Sequence, residues 1–122
     1  MPMRSPSVAT LLALTLAAAS AHAQDAAAGG MAFQQCAECH SPASTDNAGP
    51  GLKGVFGRRA GAKDGFDYSP ALKKSAIRWD DKTLDAFLAN PSKAVPGTSM
   101  VYGGDDDAKE RADLIAYLKT LK

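Results

Sequence analysis

The sequence has few metal-binding side chains and no excess of either charge. Its 122 residues include two cysteines, two histidines, four methionines and one tryptophan, with 14 basic against 13 acidic side chains. Recognition of a phosphate backbone needs a basic surface, so nucleic acid is not an expected partner. No apolar run reaches the roughly 20 residues of a membrane-spanning helix, so no membrane anchor is expected. Apolar alternation with a period of two, over the length of a strand, is also missing. What remains is an all-helical chain with long loops, and neither a repeat nor a linker divides it.

Arg4 precedes an apolar stretch from Val8 to Ala19, which runs on to Ala21-His22-Ala23. A positive charge, a short apolar core and a small-residue site in that order read as a secretory signal cleaved after Ala23. This predicts a signal peptide over 1–23, a single domain over 24–122 and export to the periplasm. Cleavage removes Arg4 and His22, leaving a formally neutral chain with His40 as its histidine and Met31 and Met100 as its methionines. The inventory of possible ligands is then very short.

The helices announce themselves by caps and periodicity. Asp106 or Asp107 supplies an N-cap for a C-terminal helix, with Glu110 in capping-box spacing, and Leu114, Tyr117, Leu118 and Leu121 form its apolar stripe. Asp80 caps another helix, with Trp79 and Leu84 placed as a hydrophobic staple, Leu84, Phe87 and Leu88 as the buried face, and Asn90-Pro91 as the stop. A first helix over Asp25 to Cys36 carries Gly29 and Gly30, which weaken it unless another helix crosses there, with Phe33 filling the space alongside. A short fourth helix follows from Ser69 as N-cap and Pro70 at its first position. Two loops, His40 to Gly65 and Pro91 to Gly104, take a large share of so small a domain. With so much irregular backbone and so few aromatics, either part of the chain is disordered or something apolar from outside the sequence sits in its middle.

Cys36-Ala37-Glu38-Cys39-His40 is the attachment pattern for c-type haem. Two thiols three residues apart on a helical turn reach both vinyl groups of one porphyrin, and the next residue can turn its imidazole to the iron. A thiol–disulfide oxidoreductase would set the pair after a strand, and none is predicted. A structural zinc site needs four ligands, and two cysteines with one histidine fall short. Neither rival accounts for the missing core. For the second axial ligand, Met31 is excluded by its place on the same helix as Cys36, which leaves Met100 in the loop Pro96-Gly97-Thr98-Ser99-Met100.

With these residues in view, the chain resembles class I c-type cytochromes, the bacterial counterparts of mitochondrial cytochrome c. The likeness also runs through Gly49-Pro50-Gly51-Leu52-Lys53-Gly54-Val55-Phe56-Gly57-Arg58, Phe66-Asp67-Tyr68-Ser69, Ile77-Arg78-Trp79, Leu88-Ala89-Asn90-Pro91 and Glu110 to Leu118. It implies a cytochrome c fold, with three main helices and a short one wrapped in long loops around one covalent haem. It further implies that the Pro50 carbonyl accepts from His40 Nδ1. Arg58, Tyr68, Ser69, Trp79 and Thr98 would serve the haem propionates, and Leu52, Phe87, Leu88, Tyr102 and Leu114 would wall the ring. Gly29 and Phe33 would cross Leu114 and Tyr117. Two positions depart from the mitochondrial pattern. Phe87 replaces a tyrosine whose hydroxyl would approach the methionine sulfur, and Gln35, Ser92 and Ser99 stand where lysines ring the haem edge, with Asp105-Asp106-Asp107 close by and Lys93 retained.

The implied function is a monomeric periplasmic carrier of single electrons, not an enzyme. Its partners would be redox proteins such as a bc-type complex, a terminal oxidase, a dehydrogenase or a peroxidase. Rival readings are a haem peroxidase or gas sensor with a displaceable Met100, and a small haem subunit of a larger oxidoreductase. Zero formal charge predicts that docking responds weakly to salt.

Overall fold

The computed structural model describes residues 1–3 and 24–122; the expected signal segment, from residue 4 onward, lies outside the described residues. Helix α1, Ala26–Ala32, starts where the Asp25 carboxylate accepts from the amides of Ala27 and Ala28 at 2.9 and 3.2 Å. Its last turn tightens into a 3-10 segment, Phe33–Gln35, and two further turns carry the chain from Cys36 to His40. Helix α2, Pro70–Lys74, is capped by the Ser69 hydroxyl with Pro70 in its first turn. Helix α3, Asp81–Ala89, has a complete capping box between Asp80 and Thr83.

The expected stop at Asn90-Pro91 ends α3 but also starts a new helix, α4, Pro91–Ala94. Proline lacks only an amide that no first turn uses, and the Asn90 side chain accepts from Lys93 N, so the same two residues terminate one helix and cap the next. Among the described residues the three main helices are therefore accompanied by two short ones, α2 and α4. Helix α5, Ala108–Lys119, takes Asp107 as its cap, not Asp106, and the carboxylate accepts from the amides of Lys109 and Glu110. Glu110 does not complete a capping box. The negative charge of nearby Asp105 pushes the Glu110 carboxyl above its ordinary range.

Helices α1 and α5 cross at Gly29. A Cβ there would run into the Asp113 carbonyl and lie 2.9 Å from Tyr117 Cβ, so only glycine permits the approach. Phe33 packs on Tyr117 with ring centroids 5.0 Å apart. Asp113 clamps the crossing by accepting from Lys109 Nζ at 2.7 Å and from the Asp25 amide at 2.9 Å. These bonds hold its carboxyl below the ordinary carboxylate range. Helix α3 packs on α5, and Arg111 Nε ties them through Asp85 at 2.8 Å.

Among the described residues there is no strand. One isolated antiparallel bridge joins Arg59 and Arg78. The buried cluster draws Phe33 from the 3-10 segment, Leu84, Phe87 and Leu88 from α3, Leu114, Ile115 and Leu118 from α5, and Val55, Trp79 and Val95 from the loops.

Candidate functional site

The apolar stripes do not close on one another. Between them lies a cavity of about 280 Å³, lined by core residues that would otherwise meet, Leu84, Leu88, Leu114 and Leu118 among them. One wall comes from the end of the first helical segment and the turns after it, with Phe33, Cys36, Cys39 and His40. The loop before α5 contributes Thr98, Ser99, Met100, Val101 and Tyr102. Pro50, Leu52, Arg58, Tyr68, Ser69 and Trp79 come from the long middle of the chain, and Phe87 from α3. Every residue that the resemblance assigned to the site therefore faces this one space.

His40 is tightly held. Its Nδ1 lies 2.7 Å from the Pro50 carbonyl, a bond made when Nδ1 carries the proton, which leaves Nε2 as the free lone pair of the neutral ring. The ring rests flush against Gly49, where a Cβ would come within 2.7 Å of Nδ1 and 2.8 Å of Nε2. Glycine at 49 is thus a cradle that any side chain would fill.

Met100 is half-buried against the core, with its amide 3.3 Å from the Thr98 hydroxyl. Met31 is 77% exposed and does not line the cavity. Val101, the next residue after Met100, is 100% exposed.

Both cysteines are free thiols, Cys36 half-buried and Cys39 exposed. Burial, reinforced by Cys39 beside it, pushes the Cys36 thiol up. A disulfide oxidoreductase needs the opposite shift, because the thiolate is its nucleophile. Zinc fares no better: among the described residues no three His, Cys, Asp or Glu side chains converge to hold a metal. A thiol pair at the edge of an apolar hollow, an imidazole fixed through its Nδ1 and a thioether in the same space are donors that would fit a covalent haem.

The polar residues divide. Arg58 donates to the carbonyls of Lys53 and Gly51 at 3.3 Å each and still reaches the cavity wall. Tyr68 and Trp79 are buried, with Trp79 edge-on to Phe87 at 5.0 Å. Ser69 uses its hydroxyl to cap α2, and Thr98 spends part of its own on the Met100 amide. Sequence reasoning did not assign Val55, Gly61, Phe66 and Leu72 to the site, although all line it. They come from the long loop and the short α2, where no periodicity marks an inward face. Leu84 and Leu118 were legible as core but not as cavity wall.

Residues 26–122 match the family described as Cytochrome c. The chain is 42% identical over 111 residues to cytochrome c2 of Blastochloris viridis, covering 89% of this chain and 87% of that protein. It is 41% identical over 121 residues to cytochrome c2 of Rhodomicrobium vannielii, covering 97% of each. The structure of cytochrome cH from Methylobacterium extorquens superposes with a TM-score of 0.77 at 52% identity, over 79% of this chain and 98% of that one. In sequence and in cytochrome c fold, the chain belongs to the cytochrome c family as a class I c-type cytochrome.

Proposed function

We propose that this protein is an exported carrier of single electrons, with one haem bound covalently through Cys36 and Cys39 and held axially by His40 and Met100. The observation that carries the reading is the meeting of His40 and Met100 in one apolar cavity with both thiols at its edge. When bound, the haem iron supplies a one-electron change of valence. The chain's own residues do the rest. Pro50 orients the imidazole, Leu84, Leu88 and Leu114 exclude water, and Arg58, Tyr68, Ser69, Trp79 and Thr98 offer polar groups to the propionates. His40 and Met100 would together close the iron to substrate, which suits transfer rather than substrate chemistry. Cleavage after Ala23 and delivery to the periplasm complete the proposal, and the relatives named cytochrome c2 and cytochrome c support the carrier role.

The test is a redox titration of the mature protein, read by visible absorbance, together with the mass of the denatured chain. One haem retained after denaturation and a single reversible one-electron wave are expected. A colourless protein that nonetheless folds cooperatively would refute the proposal. The competing reading, a peroxidase or gas-binding protein, draws on the light hold on Met100 and the absence of a hydroxyl on Phe87. Rapid binding of carbon monoxide to the reduced protein would favour that reading; slow binding, limited by loss of the sulfur ligand, favours the carrier.

A further inference from the structure

The near balance of 14 basic and 13 acidic side chains hides a separation of charge. Residues 53–78 carry seven basic and two acidic side chains, whereas residues 80–113 carry eight acidic and four basic. The basic segment is organised around the Arg59–Arg78 bridge. Trp79 N donates to the Arg58 carbonyl at 2.9 Å and Ala60 N to the Ile77 carbonyl at 2.8 Å. Those bonds flank Arg59 and Arg78, which makes them the non-hydrogen-bonded type of antiparallel pair, with side chains closest together and on one face. Their neighbours Arg58 and Trp79 point the other way and line the cavity. The bridge therefore has a cavity side and a solvent side, and two exposed arginines stand directly opposite each other on the second.

Like charges so placed repel. Among the described residues neither guanidinium has a carboxylate within salt-bridge reach, although Lys63, Lys73, Lys109, Arg111 and Lys119 each have one. Arg78 is also anchored: its Nη1 donates to the Gly57 carbonyl at 2.6 Å, which uses one of the five N–H donors of the guanidinium. Close by, the backbone of Lys73 adjoins Gly61, and exposed Lys74 follows it. Two exposed cations side by side on a bridge suit a surface rather than an enclosed metabolite.

We propose that Arg59 and Arg78 form a two-pronged docking site for carboxylates on the acidic face of a partner protein. Calling that partner a redox protein rests on the electron-carrier reading; the site itself does not. Each planar guanidinium can take a carboxylate in a bidentate pair, and an arriving acidic surface would relieve the repulsion between two of them side by side. The peptide segments that hold the pair also hold Arg58 and Trp79 at the cavity, so a partner docked here sits one backbone layer from the proposed haem. Docking on this face depends on salt, replacing the weak dependence expected from net charge alone.

The experiment measures binding of a short polyglutamate peptide to the mature haem protein at low and high salt. Arg59→Gln with Arg78→Gln should weaken binding by about tenfold or more at low salt and remove most of its salt dependence. Lys82→Gln with Lys122→Gln removes the same charge from two exposed positions that form no ion pair among the described residues, and should weaken it by no more than about threefold. Arg59→Lys with Arg78→Lys keeps the charge and should fall between them, because an ammonium cannot fork. Equal losses in the glutamine pairs, or unchanged binding in the arginine pair, would overturn the proposal. So would arginine-dependent capture on phosphatidylglycerol vesicles without peptide binding, which would mean a lipid surface instead. Failure here leaves the haem and its titration intact, while a colourless protein that still bound peptide through both arginines would break the electron-carrier reading alone.

Discussion

The two sides of the cavity are held by different means. On the His40 side, a capped helix, a tight crossing with α5, the Pro50 carbonyl at 2.7 Å and the Gly49 cradle all act on one imidazole. On the Met100 side, a loop between α4 and α5 presents the thioether, and Thr98 supplies one bond of 3.3 Å to its amide. A ring whose orientation is overdetermined would stay in place through a change in charge, while a loop-borne sulfur has fewer contacts to give up before it moves. The two halves of the site therefore differ in how much structure must yield before a ligand is lost.

The largest effect is expected from His40→Ala. It should abolish the low-spin visible spectrum of the haem protein, and added imidazole should restore it; a normal spectrum without imidazole would show that another group serves. Met100→Ala should keep the haem but lose the sulfur-to-iron charge-transfer band, lower the midpoint potential and speed carbon monoxide binding. If it instead released the haem, the two sides would be equally demanding. Gly49→Ala forces the His40 ring aside and should cost about 1–3 kcal/mol of stability in denaturant titration, as overpacking does. A smaller cost would mean that the loop yields and that the cradle is loose. Phe87→Tyr adds one hydroxyl on the methionine side and should change stability by less than about 1.5 kcal/mol, with a shift in potential as its main trace.

Acid sharpens the contrast on the histidine side. Asp113 has its carboxyl held down by Lys109 and by the Asp25 amide. Its contribution is present above the ordinary carboxylate range and is lost as pH falls through the lowered folded value. The α1–α5 crossing should therefore loosen in acid, and Asp113→Asn should flatten that part of the stability–pH curve in thermal melts. An unchanged curve would place the acid sensitivity elsewhere.

Much of this was legible before any coordinates. Asp80 and Ser69 cap the helices they were expected to cap, because an N-cap is a local bargain between one side chain and amides two or three residues away. The attachment pattern was equally plain, since its chemistry lies within five consecutive residues. Less legible was Asn90-Pro91, which reads as a stop and proves to be both stop and start. The choice between Asp106 and Asp107 could not be made by spacing, as both aspartates suit a cap.

What sequence alone determined about this protein is therefore local: its caps, its apolar stripes, its pair of thiols with the histidine beside them, and a supply of methionines too short for ambiguity. Only tertiary structure decided that Gly49 cradles the imidazole, that Val55 and Leu72 wall the cavity, and that Arg59 meets Arg78 across a bridge. Caps and stripes depend on neighbours along the chain, whose distances the backbone sets in advance. Cradles, walls and paired charges depend on residues brought together from far apart, and those distances exist only once the chain has folded.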